Sequence, residues 1–507
     1  MDTDSTKTSI SKEWLKLRSG TEIRGPMQLF NDTRVERLGY AFACWLAERM
    51  GKTPDALRLA VGRDARDSSE RILAALIRGI TAADSDVMDC GLCAAPALFM
   101  TMHNGEAPAD GAVMVTTSAP APELNGFKFM TATGGLKPDD TAHILKTSLS
   151  MEVPERLVMR VDATERYQTA LRQTVANWLE DDALRPLLGM RVVVDARGSV
   201  GADYALFLKA LGVDIEGSLY ARQGEAPAIP DLESGELLEA LSEAVRANRA
   251  DLGVSFSADG DRAALVDEDG QPIAQNRLIA LVAAILLDKR PGATLVTDSV
   301  TSAGLSAFIA EWGGVHYRFK RGYRNVIDEA VRLNAEGIDC PLAIETSGHA
   351  AFRDNGFMDD GVYLATRIIC EALNRKREGQ RLLSLTDDLR QSVESLELRL
   401  PILDFEDWEP EEEAQEIVEI LLSHTLTDPE WQLAPDNREG VRITFNLDGG
   451  VNNALFQLRM SVHDPVMALY AESDVPGGIK RILRELYDLI KDTKYLNLAP
   501  LKRAIDL

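Results

Sequence analysis

Short apolar runs rich in Val, Ile and Leu alternate along this chain with longer stretches of amphipathic period, the pattern of strands feeding helices in α/β units. Residues 57–62 predict a strand that opens into a loop and a helix beginning near Ser68. Residues 111–115 predict a buried strand running straight into a loop over 116–128. The same arrangement recurs at 191–195, before a turn over 197–201, and at 294–298, before a Ser/Thr turn and a helix from Gly304. The longest apolar run, 278–287, is far too short to span a bilayer and predicts a buried helix. After about Leu396 the pattern changes. An acidic stretch with Asp404, Glu406, Asp407, Glu409 and Glu411 to Glu413 leads into a helix, then into alternating strands near 441–445 and 454–462. This last quarter predicts a separate α+β domain. Polar, turn-rich connections near 152–155, 267–276 and 374–380 or slightly later mark the boundaries between domains.

At 507 residues the chain has room for three to five domains with ample buried core. A hydrophobic share of 45% and a charged share of 27% are those of an ordinary globular protein, which excludes wholesale disorder, collagen and coiled coil. The formal charge of -25 argues against nucleic acid as a partner, since a polyanion would have to find a basic patch against that field. The polar N-terminus has no apolar core of a secretory signal, so a cytoplasmic location without a membrane partner is expected. Five cysteines form no disulfide framework, in keeping with a reducing compartment. Cys90 and Cys93 make a C-x-x-C pair, but without a second pair they predict structural thiols in preference to a zinc site.

Four loops carry groups suited to chemistry. In Thr116-Thr117-Ser118-Ala119-Pro120, a serine at the end of a buried strand presents its hydroxyl to a ligand, and Lys128 further along the same loop supplies positive charge for a phosphate. In Ser257-Ala258-Asp259-Gly260-Asp261-Arg262, carboxylates at alternate positions can turn toward one hard cation, with an arginine beside a phosphate held by it; the competing reading is an acidic hairpin, like Asp267-Glu268-Asp269-Gly270 after it. In Glu345-Thr346-Ser347-Gly348-His349, an acceptor, a hydroxyl and an imidazole form a set for sugar hydroxyls, against a plain helix N-terminus. In Arg459-Met460-Ser461-Val462-His463-Asp464-Pro465, an arginine, a hydroxyl and an imidazole can clasp a phosphate, against a solvated strand end.

Taken in this order, the four loops resemble those of the α-D-phosphohexomutase superfamily, in particular its phosphomannomutase/phosphoglucomutase group. The resemblance spans nearly the whole chain. It begins at Gly20-Thr21-Glu22-Ile23-Arg24-Gly25, a one-residue-shorter form of the family's G-T-x-G-x-R-G, and continues through Val61-Gly62-Arg63-Asp64 with Asp67-Ser68-Ser69. Phe319-Lys320-Arg321-Gly322-Tyr323-Arg324 is similar to the family's domain 3 loop, and Asp359-Asp360-Gly361 follows the sugar loop as it does there. The resemblance implies three tandem α/β domains with mixed sheets plus a C-terminal α+β domain around a central cleft. Residues 1–155 would carry the phosphoserine loop, 156–272 the metal loop, 273–392 the sugar-binding loop and 393–507 the phosphate-binding loop.

The same resemblance implies that Ser118 is the phosphoserine of a mutase interconverting hexose 1-phosphate and hexose 6-phosphate, of glucose or mannose, through a 1,6-bisphosphate that also serves as activator. Mg²⁺ would be held by Ser118, Asp259 and Asp261, with Arg262 and Arg24 beside the reacting phosphate. Lys128 and His349 would be the candidates for proton transfer. Glu345 and Ser347, with Lys320 and Gly322, would contact substrate, while Arg459, Ser461 and His463 would clamp the phosphate that is not reacting. The chain departs from the family pattern at three places. Ala119 stands where T-A-S-H has histidine, Ser257 replaces the first aspartate of D-x-D-x-D-R, and Val462-His463-Asp464 replaces N-T-E or G-T-E. Two further expectations therefore stand beside the first: a catalytically impaired paralogue that binds sugar phosphates as a sensor or partner protein, and a related mutase acting on glucosamine phosphate.

Overall fold

The computed structural model describes residues 13–103, 107–118, 123–153, 159–197, 199–220, 232, 234–403, 410–461 and 464–506. Ala119, Val462, His463 and the acidic stretch 404–409 lie outside the described residues. The chain divides into two compact units, one from Met1–Ala274 and Ser347–Ser384, the other from Gln275–Thr346 and Leu385–Leu507.

The first unit holds two sheets. In the first, the strands Arg58–Arg63, Asp86–Leu92 and Gly111–Val115 run parallel, and Leu124–Thr131 and Glu22–Pro26 continue the sheet antiparallel. All five residues of Gly111–Val115 are buried, as the uninterrupted apolar run requires of a central strand. Helices Asp32–Met50 and Asp67–Ala82 pack together over this sheet, so closely that a Cβ on Gly79 would lie 1.9 Å from the Glu36 carbonyl oxygen. The second sheet pairs Val192–Asp195 parallel to Leu252–Phe256, which turns back antiparallel into Ala263–Val266. The chain from Phe256 to Ala263 is thus a hairpin loop, and it carries the two aspartates. A second hairpin follows at once: the Asp267 carboxylate accepts the backbone N–H groups of Asp269 and Gln271, and Arg381 pairs with Glu268 at 2.6 Å.

Helix Gly361–Arg377 also belongs to the first unit. Its first thirteen residues are buried except Glu371, and it packs on helix Ala163–Leu179, with Tyr363 edge-on to Trp178 at 4.8 Å. Asp360 caps its N-terminus by accepting the Tyr363 N–H, and accepts further bonds from the Tyr167 hydroxyl and the Asn355 amide.

In the second unit, Thr294–Thr297 lies between Val315–Arg318 and Leu342–Ile344, all parallel. Helix Gln275–Leu287 is buried at every position from Leu278 to Leu287, as the apolar run predicts. The C-terminal part is an antiparallel sheet in the order Glu394–Pro401, Val466–Ser473, Ala454–Met460, Val441–Phe445 and Gln432–Leu433, with helices Pro410–Thr425 and Gly478–Ile490. Nine of the residues along its central three strands join one core with Trp431, Ile417 and Leu421. The fold is therefore three α/β modules with mixed sheets followed by an α+β module. Among the described residues no helix is long and apolar enough to cross a membrane.

Lys128 corrects one expectation. It sits within the strand Leu124–Thr131, opposite Met114, and not in a loop. Asn-Gly at 125–126 reads as a turn, yet the Asn125 amide is buried and donates to Ser68 and Ser69. Gly126 fills a place where a Cβ would lie 2.2 Å from the Ile23 carbonyl oxygen.

Burial pushes the Asp360 carboxyl up to about 6 despite its hydrogen bonds. Below about pH 4 it is protonated folded and unfolded alike; between there and about pH 6 only the unfolded chain gives up its proton, so stability falls as pH rises. The stability of wild type relative to Asp360→Asn, from urea denaturation, should therefore fall by about 3 kcal/mol between about pH 4 and 7. A difference that does not change with pH would show that Asp360 is not the titrating group.

Candidate active site

Thr116 directly follows the strand Gly111–Val115, and two residues later Ser118 adopts a left-handed backbone conformation, φ 52°, which costs a residue with a side chain about 1–2 kcal/mol. Three contacts hold it. Its N–H donates to the Thr116 hydroxyl at 3.1 Å, its carbonyl accepts from Arg262 Nη2 at 3.0 Å, and its Oγ donates to Asp259 Oδ2. The serine hydroxyl is thereby aimed at the carboxylates of the 256–263 hairpin.

That hairpin is shaped from within. The Ser257 hydroxyl lies 3.0 Å from Asp259 Oδ1 and 2.7 Å from Asp261 Oδ1, and accepts the Arg262 N–H. Gly260 takes φ 74° and lets the loop turn between the two aspartates. Lys128 reaches across from the first sheet: its Nζ is 2.5 Å from Asp261 Oδ2, 3.2 Å from Asp259 Oδ2 and 3.7 Å from Glu22 Oε1. Glu22 in turn holds Arg24, whose Nε donates to Oε2 at 2.7 Å.

His349 closes another side. Its backbone bridges that of Arg262, and Nδ1 lies 2.5 Å from Asp359 Oδ2 and 3.9 Å from Asp261 Oδ2. The ligand atoms of Asp261, His349 and Asp359 lie within 4.8 Å of one another, and the buried Asp359 Oδ1 has no hydrogen-bond partner among the described residues. Helix Gly361–Arg377 starts directly against this loop. The Gly361 N–H donates to the Gly260 carbonyl, and a Cβ on Gly361 would lie 2.3 Å from the Arg262 carbonyl carbon.

Burial dominates the electrostatics. It raises the Asp259 carboxyl, assisted by the neighbouring Asp261 charge and opposed by Lys128. Burial also works against ionised Asp261, but Lys128, His349 and Arg262 outweigh it and hold that carboxyl well below the usual range. One aspartate is thus firmly anionic and its partner is the easier to protonate, the expected division for two like charges in one pocket. Burial pulls the His349 imidazole down, and Asp359 and Asp261 more than reverse it, so its pKa is raised.

The second unit carries a different set. Gly322 N–H donates to Glu345 Oε1 at 2.6 Å, so the buried glutamate holds the 319–322 loop by its backbone. Glu439 does the same from the other side, accepting from Arg321 N–H at 3.1 Å and from the Ser299 hydroxyl at 2.5 Å, while lying 3.7 Å from Arg459 Nε. Burial lowers the Arg459 guanidinium pKa, partly offset by Glu439, and its Nε has no hydrogen-bond partner among the described residues. Fully buried Asp298 accepts from the Thr346 hydroxyl at 2.7 Å. Ser461 stands just past the end of strand Ala454–Met460, its N–H donating to Val466. Lys320 is exposed.

The first unit thus brings Ser118, Lys128, Asp259, Asp261, Arg262, Arg24 and His349 together and includes Ser347; the second contains Lys320, Gly322, Glu345, Arg459 and Ser461. The division passes through the sugar loop, between Thr346 and Ser347. His463 lies outside the described residues. Sequence reasoning missed Glu22, Asp359 and Glu439 as site residues. Two of them stood inside quoted motifs, Glu22 two places before Arg24 and Asp359 before Asp360-Gly361, and an ionisable residue inside a ligand-loop motif is the signal that would have found them.

Cys90 and Cys93 are buried and unbonded to each other. Burial pushes the Cys90 thiol up to about 12 and the Cys93 thiol well above its ordinary value. A Cβ on Gly62 would lie 2.5 Å from Cys93 Sγ, so this thiol fills space against the strand.

Comparison with known proteins places this geometry in a family. Residues 16–153, 165–270 and 274–392 match phosphoglucomutase/phosphomannomutase alpha/beta/alpha domains I, II and III in turn. A phosphomannomutase/phosphoglucomutase of Pseudomonas aeruginosa is 28% identical over 472 residues, covering 91% of this chain and 92% of that protein. A phosphoglucosamine mutase of Symbiobacterium thermophilum is 30% identical over 372 residues, covering 71% and 78%. The crystal structure of a phosphoglucomutase/phosphomannomutase family protein from Burkholderia thailandensis shares the fold, with a TM-score of 0.76 at 24% identity over 95% of this chain and 99% of that one. The chain belongs to the phosphoglucomutase/phosphomannomutase family, and is by that membership an enzyme of the phosphohexomutase type.

Proposed function

We propose that this mutase interconverts hexose 1-phosphate and hexose 6-phosphate through a phosphorylated Ser118. The observation that carries the reading is the Ser118 hydroxyl, held in strained backbone and directed at Asp259, with Lys128 and Arg262 within reach of the same carboxylates and carbonyl. From phosphorylated Ser118, the sugar's free hydroxyl oxygen bonds to phosphorus as the bond to Oγ breaks, and the hydroxyl proton passes to a base. The resulting 1,6-bisphosphate turns over, and its other phosphoryl group returns to Oγ, which releases the isomeric monophosphate. The reacting group is loose and anionic in transit, so alignment and charge neutralisation matter most. Arg24, Lys128 and Arg262 are the cations placed for that. His349, backed by Asp359, is the base and acid placed for the hydroxyl proton. Glu345 and Ser347, with Lys320 and Gly322, are assigned to the substrate, and Arg459, Ser461 and His463 to the idle phosphate. Four domains, 1–155, 156–272, 273–392 and 393–507, would each contribute one loop.

The donor set suits Mg²⁺. Asp259, Asp261 and Ser118 would hold it, two hard carboxylates beside an oxygen that becomes a phosphate ester, which is as much protein as that ion commonly takes. Bound there it would neutralise charge on the transferring oxygens. The hexose 1,6-bisphosphate activator fits a serine that must be phosphorylated before turnover. Five unbonded cysteines support a reducing compartment, and so the cytoplasm. A sugar-phosphate binder without turnover is not favoured, because relatives matching over nine-tenths of the chain are named mutases. The amino-sugar reading keeps support from the phosphoglucosamine mutase relative.

A coupled assay of the purified protein with glucose 1-phosphate, mannose 1-phosphate and glucosamine 1-phosphate, with Mg²⁺ and a trace of hexose 1,6-bisphosphate, should show turnover on at least one sugar. Ser118→Ala should reduce it to background, and equal rates for the two proteins would refute the phosphoserine.

Ser257→Asp would place a third carboxylate beside two buried ones. In EDTA its melting temperature should fall below that of wild type, because the added charge has no counter-ion. Added Mg²⁺ should then raise it by more than it raises wild type, and half-maximal activation should need less metal. Equal Mg²⁺ responses in melting would argue against a metal at this loop.

A further inference from the structure

Glu22 takes no part in the chemistry above, yet it is tied to two of its cations. It lies on the strand Glu22–Pro26 with Arg24 on the same face. That strand pairs antiparallel with Leu124–Thr131 through Ile23 with Phe127 and Arg24 with Gly126, so the next step of the register brings Glu22 beside Lys128. Its two oxygens divide the work. Oε2 accepts from Arg24 Nε at 2.7 Å and lies 2.5 Å from Nη2, while Oε1 faces Lys128 Nζ at 3.7 Å. Glu22 is 5% exposed, and Lys128 is also in contact with Asp259 and Asp261.

Removing a buried carboxylate leaves the cations that it faces uncompensated. This one is a fork whose two tines end on two cations of the reacting pocket. It fixes the arginine by a charge-assisted bond on one oxygen, and on the other oxygen it faces a lysine that also pairs with the hairpin aspartates. Gly126 allows this arrangement, since any side chain there would strike the Ile23 carbonyl and part the two strands.

We propose that Glu22 is a positioning residue for phosphoryl transfer: its single carboxylate sets the placement of both Arg24 and Lys128, and withholds part of their charge from a phosphate that has not yet reached the reacting position. This rests on the mutase reading above. Because Glu22 opposes the binding of any phosphate while aligning the cations for the one in transit, its loss has opposite effects on binding and on rate, which a residue needed only for folding does not produce.

Full-length Glu22→Gln and Glu22→Asp, checked for folding by thermal melting, test this with glucose 1-phosphate, Mg²⁺ and hexose 1,6-bisphosphate. Glu22→Gln keeps the shape and removes the charge; kcat should fall about tenfold or more and KM about threefold. Glu22→Asp keeps the charge but loses reach; kcat should fall with KM unchanged, and this variant decides the matter should Glu22→Gln not fold. Wild-type kcat in either variant, or a raised KM with kcat retained, overturns the proposal. Calorimetric titration with inorganic phosphate separates the two readings. A wild type without turnover defeats the mutase assignment alone, whereas a Glu22→Gln protein that binds phosphate no more tightly than wild type defeats the role of Glu22.

Discussion

Asp259 and Asp261 are buried two residues apart on one hairpin, and carboxylates so placed repel each other unless donors and cations surround them. Much of the first unit answers that demand. Lys128 comes from the middle of a strand in one sheet, the Ser257 hydroxyl from the base of the hairpin, the Ser118 hydroxyl from the end of a central strand, and His349 from the segment that returns to this unit. None of these groups balances the pair alone. The distance between Lys128 and Asp261, 2.5 Å, makes that contact the keystone: it fixes the register between the first sheet and the hairpin of the second, and with it the line along which Ser118 meets its acceptor.

Glycine does its part by absence. Gly126, Gly260 and Gly361 each stand where the backbone of one element meets another, and two of them would drive a Cβ to within 2.3 Å of carbonyl atoms. The site is therefore built from backbones in near contact, with charged side chains filling what remains. Such a site has little freedom to shift, which suits chemistry that depends on alignment.

Most strands were legible because a buried parallel strand needs an unbroken apolar run, and 111–115, 252–256 and 342–344 fall where such runs stand. The polar loops after them were legible for the same reason, since polar residues that directly follow a central strand emerge at one edge of its sheet. The strand holding Lys128 was hidden. Its alternation of Phe127 and Phe129 with polar partners is a strand pattern, but Asn125-Gly126 is a strong turn signal, and only the serines 68 and 69 on a distant helix make Asn125 a buried donor. The pairings of Glu22 with Lys128 and of Glu439 with Arg321 depend on sheet register and loop packing across more than a hundred residues, which no local pattern encodes.

The threading of the chain bears on how the protein is made. Helix Gly361–Arg377 and His349 belong to the unit whose sheets are complete by residue 273, so a ribosome that has released the hairpin of Asp259 and Asp261 has yet to synthesise the elements that cover it. At ordinary elongation rates the gap lasts roughly ten seconds. During it the faces of helix Ala163–Leu179 and Tyr204 that will meet Tyr363 and Thr366 stand open. The paired carboxylates meanwhile have Lys128 and the two serines but no imidazole. The nascent first unit is thus held open at its reactive centre until the chain has passed through residues 275–346 of the second, whose remaining part, from Leu385 on, is made only afterwards.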